Sequence, residues 1–343
     1  MQRASALRLV VAVSLAMTTL SCGPPNGPDD ATAAAEAYGR GDMAMASKLY
    51  LRAAEQGHAV AQYTLGAMHA HGRGVPYDYA EAMAWYRKAA DQGHPGAQYS
   101  LGLGYRDGDG VPQDMTEAMR WYNKAADQRH TLAQYALGSG YRDGEGVPQN
   151  DAAAMNRYRE AADQDYPPAQ FALGSGYANG RGVQRNDAEA VRWYRKAAFR
   201  DYPPAQYSLG VMYADGRGAP RDDAQAVRWY RKAADQDYPP AQYSLGVMYA
   251  NGRGVPRDDS RAMTWCRKAA EQGYLPARLT SATGTPPTGA PPQMVLKRCG
   301  GIAMPPIKAM HTPGSRSRDK TTTTMDLKTN TCAIWNGCAV SMP

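Results

Sequence analysis

The 343-residue sequence predicts an all-α protein, a solenoid of stacked antiparallel helix hairpins. Three observations predict it. A 36-residue period runs six times without insertion or deletion, from Ala61, Ala97, Ala133, Ala169, Ala205 and Ala241. Within each period the apolar residues come twice at helical spacing, split by a Gly-x-Gly turn. A large aromatic recurs at one position of every period but the third, as Trp85, Trp121, Trp193, Trp229 and Trp265. A period of this length means that each unit buries its apolar face only against its neighbours, so the chain is an extended surface before it is anything else.

Residues 1–22 hold Arg3 and Arg8, an apolar run from Leu9 to Leu20, then Ser21 and Cys22. That run is too short to span a bilayer and suits the apolar region of a secretion signal. Residues 23–30, GPPNGPDD, read as a flexible linker. Residues 31–60 read as a shorter hairpin with Asp42 as its cap and no Gly-x-Gly loop.

The six full units occupy 61–276. In the first, residues 61–71 place Ala61, Leu65 and Met68 on one stripe, with Gly66 and His69 beside it. Residues 79–92 place Ala82, Trp85, Tyr86, Ala89 and Ala90 at i, i+3, i+4, i+7 and i+8. Gly72 and its equivalents fall where the first helix must stop in a left-handed cap, and Gly74 and its equivalents keep the loop tight. Asp78, Asp114, Asn150, Asn186, Asp222 and Asp258 stand at the start of the second helix, each able to accept from its exposed N–H groups. Glu81, Glu117, Glu189 and Gln225, three residues on, are expected to close a capping box. Trp85 and Tyr86 with their equivalents form the core, broken where Arg157 replaces Trp and Cys266 replaces Tyr. Gly66 and its equivalents are costly inside a helix and are expected to lie against another backbone.

The pattern A-Q-Y-x-L-G-x-x-Y-x-x-G-x-G-V-P-x-D-x-x-x-A-x-x-W-Y-R-K-A-A, over 61–276, resembles the Sel-one-like repeat, a 36-residue branch of the tetratricopeptide superfamily. Residues 31–60 resemble the shorter tetratricopeptide parent. The resemblance implies a right-handed superhelix of roughly 13 to 14 helices that serves as an adaptor for other proteins. Leu20-Ser21-Cys22-Gly23 resembles a bacterial lipobox, with Thr19 as its departure. That implies acylation at Cys22 and anchoring in a bacterial envelope, facing the periplasm; cleavage by an ordinary signal peptidase and secretion is the alternative.

Residues 277–343 break the pattern with SATGTPPTGAPP and TTTT, too polar to bury a core, and read as a disordered tail carrying Cys299, Cys332 and Cys338. Cys332 and Cys338 are spaced so that they can pair in an oxidising compartment. The net charge of +7 does not belong to the repeats. Setting aside two arginines in 1–22 and eight basic against two acidic residues in 277–343 leaves the array at about −1. A neutral array exerts no strong pull on phosphate backbones, which argues against nucleic acid as a partner.

No zinc motif, P-loop, nucleophile elbow or catalytic dyad is written in the repeats, and nothing asks for a cofactor. His69 and His71, two apart, point to different sides of a helix and make a poor chelate. His58, His94 and His130 share a position that later becomes Tyr166, Tyr202, Tyr238 and Tyr274, which suggests packing and hydrogen bonding over metal binding. Two features are candidates for partner binding. Gly104, Gly140 and Gly176 stand where other units carry Met68, Met212 and Met248, with Arg106 and Arg142 close by, and are expected to open a groove. Arg181, Arg217 and Arg253, with Arg185, Arg221 and Arg257, line one edge, either as an anion-binding surface or as a solvated face neutralised by Asp215 and Asp222. The expected function is a monomeric, non-enzymatic protein–protein scaffold of the cell envelope. Two alternatives stand beside it: a secreted or surface factor engaging host proteins, and a weak β-lactamase-like hydrolase as in cysteine-rich relatives.

Overall fold

A computed structural model describes residues 29–275 and 277. The expected signal with Cys22, and residues 278–343 with Cys299, Cys332 and Cys338, lie outside the described residues. Fourteen helices and no strand occur among the described residues. The chain divides between Gln113 and Asp114 into two compact units. The first holds α1 (Asp30–Arg40), α2 (Met43–Glu55), α3 (Ala59–His71), α4 (Tyr79–Asp91) and α5 (Pro95–Asp107). The second holds α6 (Met115–Asp127), α7 (Thr131–Asp143), α8 (Asp151–Ala162), α9 (Pro167–Asn179), α10 (Asp187–Phe199), α11 (Pro203–Asp215), α12 (Asp223–Ala234), α13 (Pro239–Asn251) and α14 (Asp259–Glu271). Within each unit, successive helices pack as hairpins, as in α3 with α4 and α9 with α10.

The expected caps form with one difference. Gly72 ends α3 at φ 62°, and Arg73 N–H closes back on Met68 O at 2.9 Å. Asp78 Oδ1 accepts from Glu81 N–H at 3.0 Å, and the equivalent bond is present in all six repeats. The second half of the capping box does not form, because the cap's own N–H is already taken. Asp78 N–H donates to His69 O at 3.1 Å and Asp222 N–H to Tyr213 O at 2.9 Å, which fixes the hairpin turn instead. Glu117 and Glu189, released from that task, pair Arg120 and Arg192.

The two aromatics of each repeat divide the packing. Tyr86 lies inside its own hairpin: a Cβ on Gly66 would fall 2.7 Å from the Tyr86 ring and 3.1 Å from Ala82 O. The glycine thus clears space chiefly for a ring, and only secondarily for backbone. Cys266 fills the same slot over Gly246 in the last repeat. Trp faces the repeat before. Trp193 joins Ala154, Met155, Ala161 and Ala162, and Trp229 joins Val191, Tyr194, Ala197 and Ala198. Each buried indole removes roughly 200 Å² from water, an upper limit of about 5 kcal/mol before entropy.

The end of each second helix needs a left-handed residue. Gly57 and Gly93 supply it without strain, whereas Arg129, Asp165, Asp201 and Asp237 adopt φ between 53° and 62° at a cost of about 1 kcal/mol each. Next comes the start of a first helix. His94 Nδ1 accepts from Ala97 N–H at 3.1 Å while the ring stacks on Tyr63 at 4.6 Å. Tyr202 and Tyr238 give up the cap and pack edge-on against Phe171 and Tyr207. His and Tyr are therefore interchangeable here as plates on the preceding ring.

Gly104, Gly140 and Gly176 open no groove, contrary to the expectation above. All three are buried, and a Cβ on each would overlap the Met83, Met119 or Met155 thioether of the preceding repeat. Where the first-helix residue is Met212 or Met248, its counterpart is Val191 or Val227. Two positions 21 residues apart share one volume, and either side can fill it.

Two predictions follow from this packing. Gly176→Met overfills the site beneath Met155 and should cost about 1–3 kcal/mol; adding Met155→Val, the pairing of the next repeat, should recover most of it, read as urea midpoints in a double-mutant cycle. Burial holds the His94 imidazole below its ordinary value of about 6.5, so the unfolded chain protonates first. Stability is then complete above about pH 6.5 and falls as pH drops below it. The urea midpoint should decline from pH 7 to pH 5, and His94→Asn, which keeps a capping acceptor, should remove part of that decline.

Candidate interaction surface

Polar side chains join one repeat to the next in three regular ladders. The first is buried. Gln62 donates to Ala54 O at 3.0 Å, capping the end of α2, and its Oε1 accepts from Gln92 Nε2 at 2.7 Å. Gln134, Gln206 and Gln242 repeat both bonds. In the second ladder an arginine of one second helix reaches the tyrosine of the next first helix, as in Arg195 to Tyr213 Oη at 2.9 Å and Arg231 to Tyr249 Oη at 2.7 Å.

The third ladder contains the expected arginine edge. Arg217 donates to both oxygens of Asp187 at 2.7 and 3.2 Å, and to Ala178 O at 3.2 Å. Arg253 does the same with Asp223 and Ala214 O, and Arg181 donates to one Asp151 oxygen at 2.8 Å and to Arg142 O at 3.0 Å. Arg185 and Arg221 approach the same Asp187 and Asp223 from within their own repeats. The residues do line up, but as ties between repeats. Their counter-ions are Asp187 and Asp223, where the sequence pointed to Asp215 and Asp222. The Arg217 hydrogen bonds hold the Asp187 carboxyl below the ordinary carboxylate range, and Arg253 does so for Asp223. Arg106 and Arg142 fold onto their own neighbours, Asp107 and Asp143, through bidentate pairs.

The accessible surface therefore lies elsewhere. On α11 and α13 the first-helix face is closed: Tyr207, Val211, Tyr243 and Val247 are each at most 3% exposed. The second helices stay open and carry a lysine over each tryptophan, as in Lys88 over Trp85 at 3.8 Å and Lys196 over Trp193 at 4.2 Å. Two places interrupt this regularity. At Arg157 the indole is missing; the guanidinium instead meets Glu160 at 3.1 Å and Asn123 at 3.1 Å. A recess of about 450 Å³ remains there, lined also by Asp127, Arg129, Gln134 and Asp163. At the end of α10, Phe199 and Arg200 replace the usual acid and glutamine. The sequence reading passed over Phe199, although comparing that column down the repeats would find it; the glutamine ladder and the shared methionine volume leave no such mark, since neither names its contact. Among the described residues no three His, Cys, Asp or Glu side chains gather as a metal site, and no helix is long and apolar enough to cross a membrane.

The arginine ties make a prediction. Asp187→Asn removes a carboxylate shared by Arg185 and Arg217 and should lower stability by about 1–2 kcal/mol at pH 7. Because the folded carboxyl titrates below its unfolded value near 3.9, its contribution is present above that pH and is lost as pH falls through the depressed folded value. The gap in urea midpoint between native chain and variant should therefore close on acidification below about pH 4.

Comparison with known proteins fits this construction. The Sel1 repeat matches residues 33–58, 59–94, 95–130, 131–166, 167–198, 203–238 and 239–274, so the short first hairpin matches along with the full ones. No curated protein matches the chain. Among solved structures, a protective antigen of uropathogenic Escherichia coli strains displaying an SLR fold is similar, with a TM-score of 0.67 and 36% identity over 74% of this chain and 56% of that one. The chain thus spans little more than half the length of that protein. A Sel1 repeat protein from Oxalobacter formigenes is similar with a TM-score of 0.64 and 31% identity, over 71% of this chain and 97% of that one. Seven matches laid end to end over hairpins tied by these ladders show that the chain belongs to the Sel1 repeat family.

Proposed function

We propose that this protein is a non-enzymatic scaffold that binds other proteins through the outer faces of its repeats. One observation carries the reading: the array's polar side chains are engaged in joining hairpins, which leaves a stiff, regular surface whose variable positions are the ones free to choose a partner. Binding of this kind draws its affinity from shape and from a few anchor residues, with little ordering to be done on the scaffold side. Arg3, Arg8, the apolar run and Leu20-Ser21-Cys22 support tethering by lipid to the bacterial envelope, facing the periplasm. The likeness to a protective antigen supports a second reading, display at or beyond the cell surface.

Labelling with a fatty-acid analogue should mark the native chain and be lost in Cys22→Ser, whereas unlabelled protein in the medium would favour the secreted form. Cross-linked affinity purification of the native chain from envelope extract should recover a reproducible partner. Turnover of nitrocefin by purified protein, with no partner recovered, would replace the scaffold with the hydrolase reading.

A further inference from the structure

The fourth full repeat departs from the other five at two adjacent positions, and each departure gains only one contact at the surface. Where the second helix ends, the others carry Asp91, Asp127, Asp163, Asp235 or Glu271; this one carries Phe199. The next residue is Gln92, Gln128, Gln164, Gln236 or Gln272 in the others and Arg200 here. Phe199 touches Trp229 edge-on at 5.5 Å, yet is 66% exposed, so most of the phenyl stays in water. Arg200 turns outward to Asp165 at 2.7 Å. Without a glutamine at 200, Gln170 Oε1 is buried with no hydrogen-bond partner, while Gln134, Gln206 and Gln242 have theirs satisfied. One exchange leaves most of a phenyl in water and the other leaves the Gln170 acceptor unsatisfied, and each introduces a residue that can serve as an anchor at a protein interface.

The surroundings say what kind of partner fits. The acid that stands four residues after Arg87, Arg159 and Arg231 is absent after Arg195, which keeps its bond to Tyr213 Oη, so this end of the helix is one charge more positive than its equivalents. Arg192 and Lys196 on α10 are exposed over Trp193, Arg228 and Lys232 on α12 are exposed beside Trp229 in the chain, and Lys232 Nζ lies 4.9 Å from the Trp229 ring centre. Glu189 answers Arg192, Asp165 answers Arg200, and Asp235 ends α12; the face remains basic.

We propose that Phe199, seated on the edge of the buried Trp229, forms a docking platform for an acidic segment of a partner protein, which lays one apolar side chain against Phe199 and its carboxylates along Lys196, Arg200 and Lys232. The proposal rests on the scaffold reading and narrows it to one face of α10 and α12.

The test uses the double variant Phe199→Asp, Arg200→Gln, which installs the residues of the other repeats and should fold at least as stably as the native chain. The probe is a fluorescein-labelled peptide, Asp-Glu-Asp-Trp-Glu-Asp-Glu, followed by anisotropy. Saturable binding to the native full-length chain, weakened tenfold or more in the double variant, by raised salt, and by alanine in place of the peptide's tryptophan, is the expected result. The melting temperature of the variant should stay level or rise, from restoring the Gln170 bond. Equal binding by both proteins, or none by the native chain, overturns the proposal. So does sedimentation showing that the native chain self-associates and the variant does not, since the occupant would then be a second copy. None of these failures touches partner recovery from envelope extract, which reads the whole surface.

Discussion

Everything in the array depends on how closely the loop of one repeat can approach the second helix of the repeat before it. The second glycine of the Gly-x-Gly turn sits on that helix's first residues: a Cβ on Gly110 would fall 2.5 Å from Tyr79 O, and one on Gly218 would overlap Asp187 O. Only a residue without a side chain permits this contact. The approach then places the residue between the two glycines over the preceding helix start, which is why Arg217 can reach both Asp187 and Ala178 O. A substitution at the second glycine would separate the backbones and release the arginine tie, the buried glutamine bond and the indole contact together.

Such a stack gains stability from the sum of similar interfaces, so a single weak interface is tolerated. The sequence exploits that tolerance. Arg157 surrenders an indole for a set of polar contacts, the second to fifth full repeats hold non-glycine residues in left-handed conformations, and Gln170 keeps an orphaned acceptor. Each costs on the order of 1–3 kcal/mol, an amount one interface can lose while its neighbours hold the register. Departures from the repeat are therefore where an array of this kind can acquire specificity, because the regular positions are already committed to holding neighbours.

The family assignment agrees with that division of labour. Seven Sel1 repeats account for the hairpins from residue 33 to residue 274, and the structures they resemble share the fold at 31% and 36% identity. Buried departures, such as the exchange of Gly for Met opposite Met or Val, compensate one another, whereas the departures that reach the surface are chiefly Arg157 with its recess and Phe199 with Arg200.

The period, both helices of each hairpin, their glycine stops and their Asp or Asn caps were legible in the sequence, because each is a local matter of backbone conformation and helical spacing. Residues 61–71 and 79–92 were read as helices and are Ala59–His71 and Tyr79–Asp91. Partners across repeats were not legible. A missing side chain at Gly104, Gly140 and Gly176 looks like a groove until Met83, Met119 and Met155 are seen to enter from the neighbouring repeat. A row of arginines looks like an anion site until Asp151, Asp187 and Asp223 are found beneath it, 30 residues earlier in the chain. Pattern along one chain states which residues lie on a face; only tertiary structure decides which face meets it, since that depends on how far apart neighbouring backbones are held.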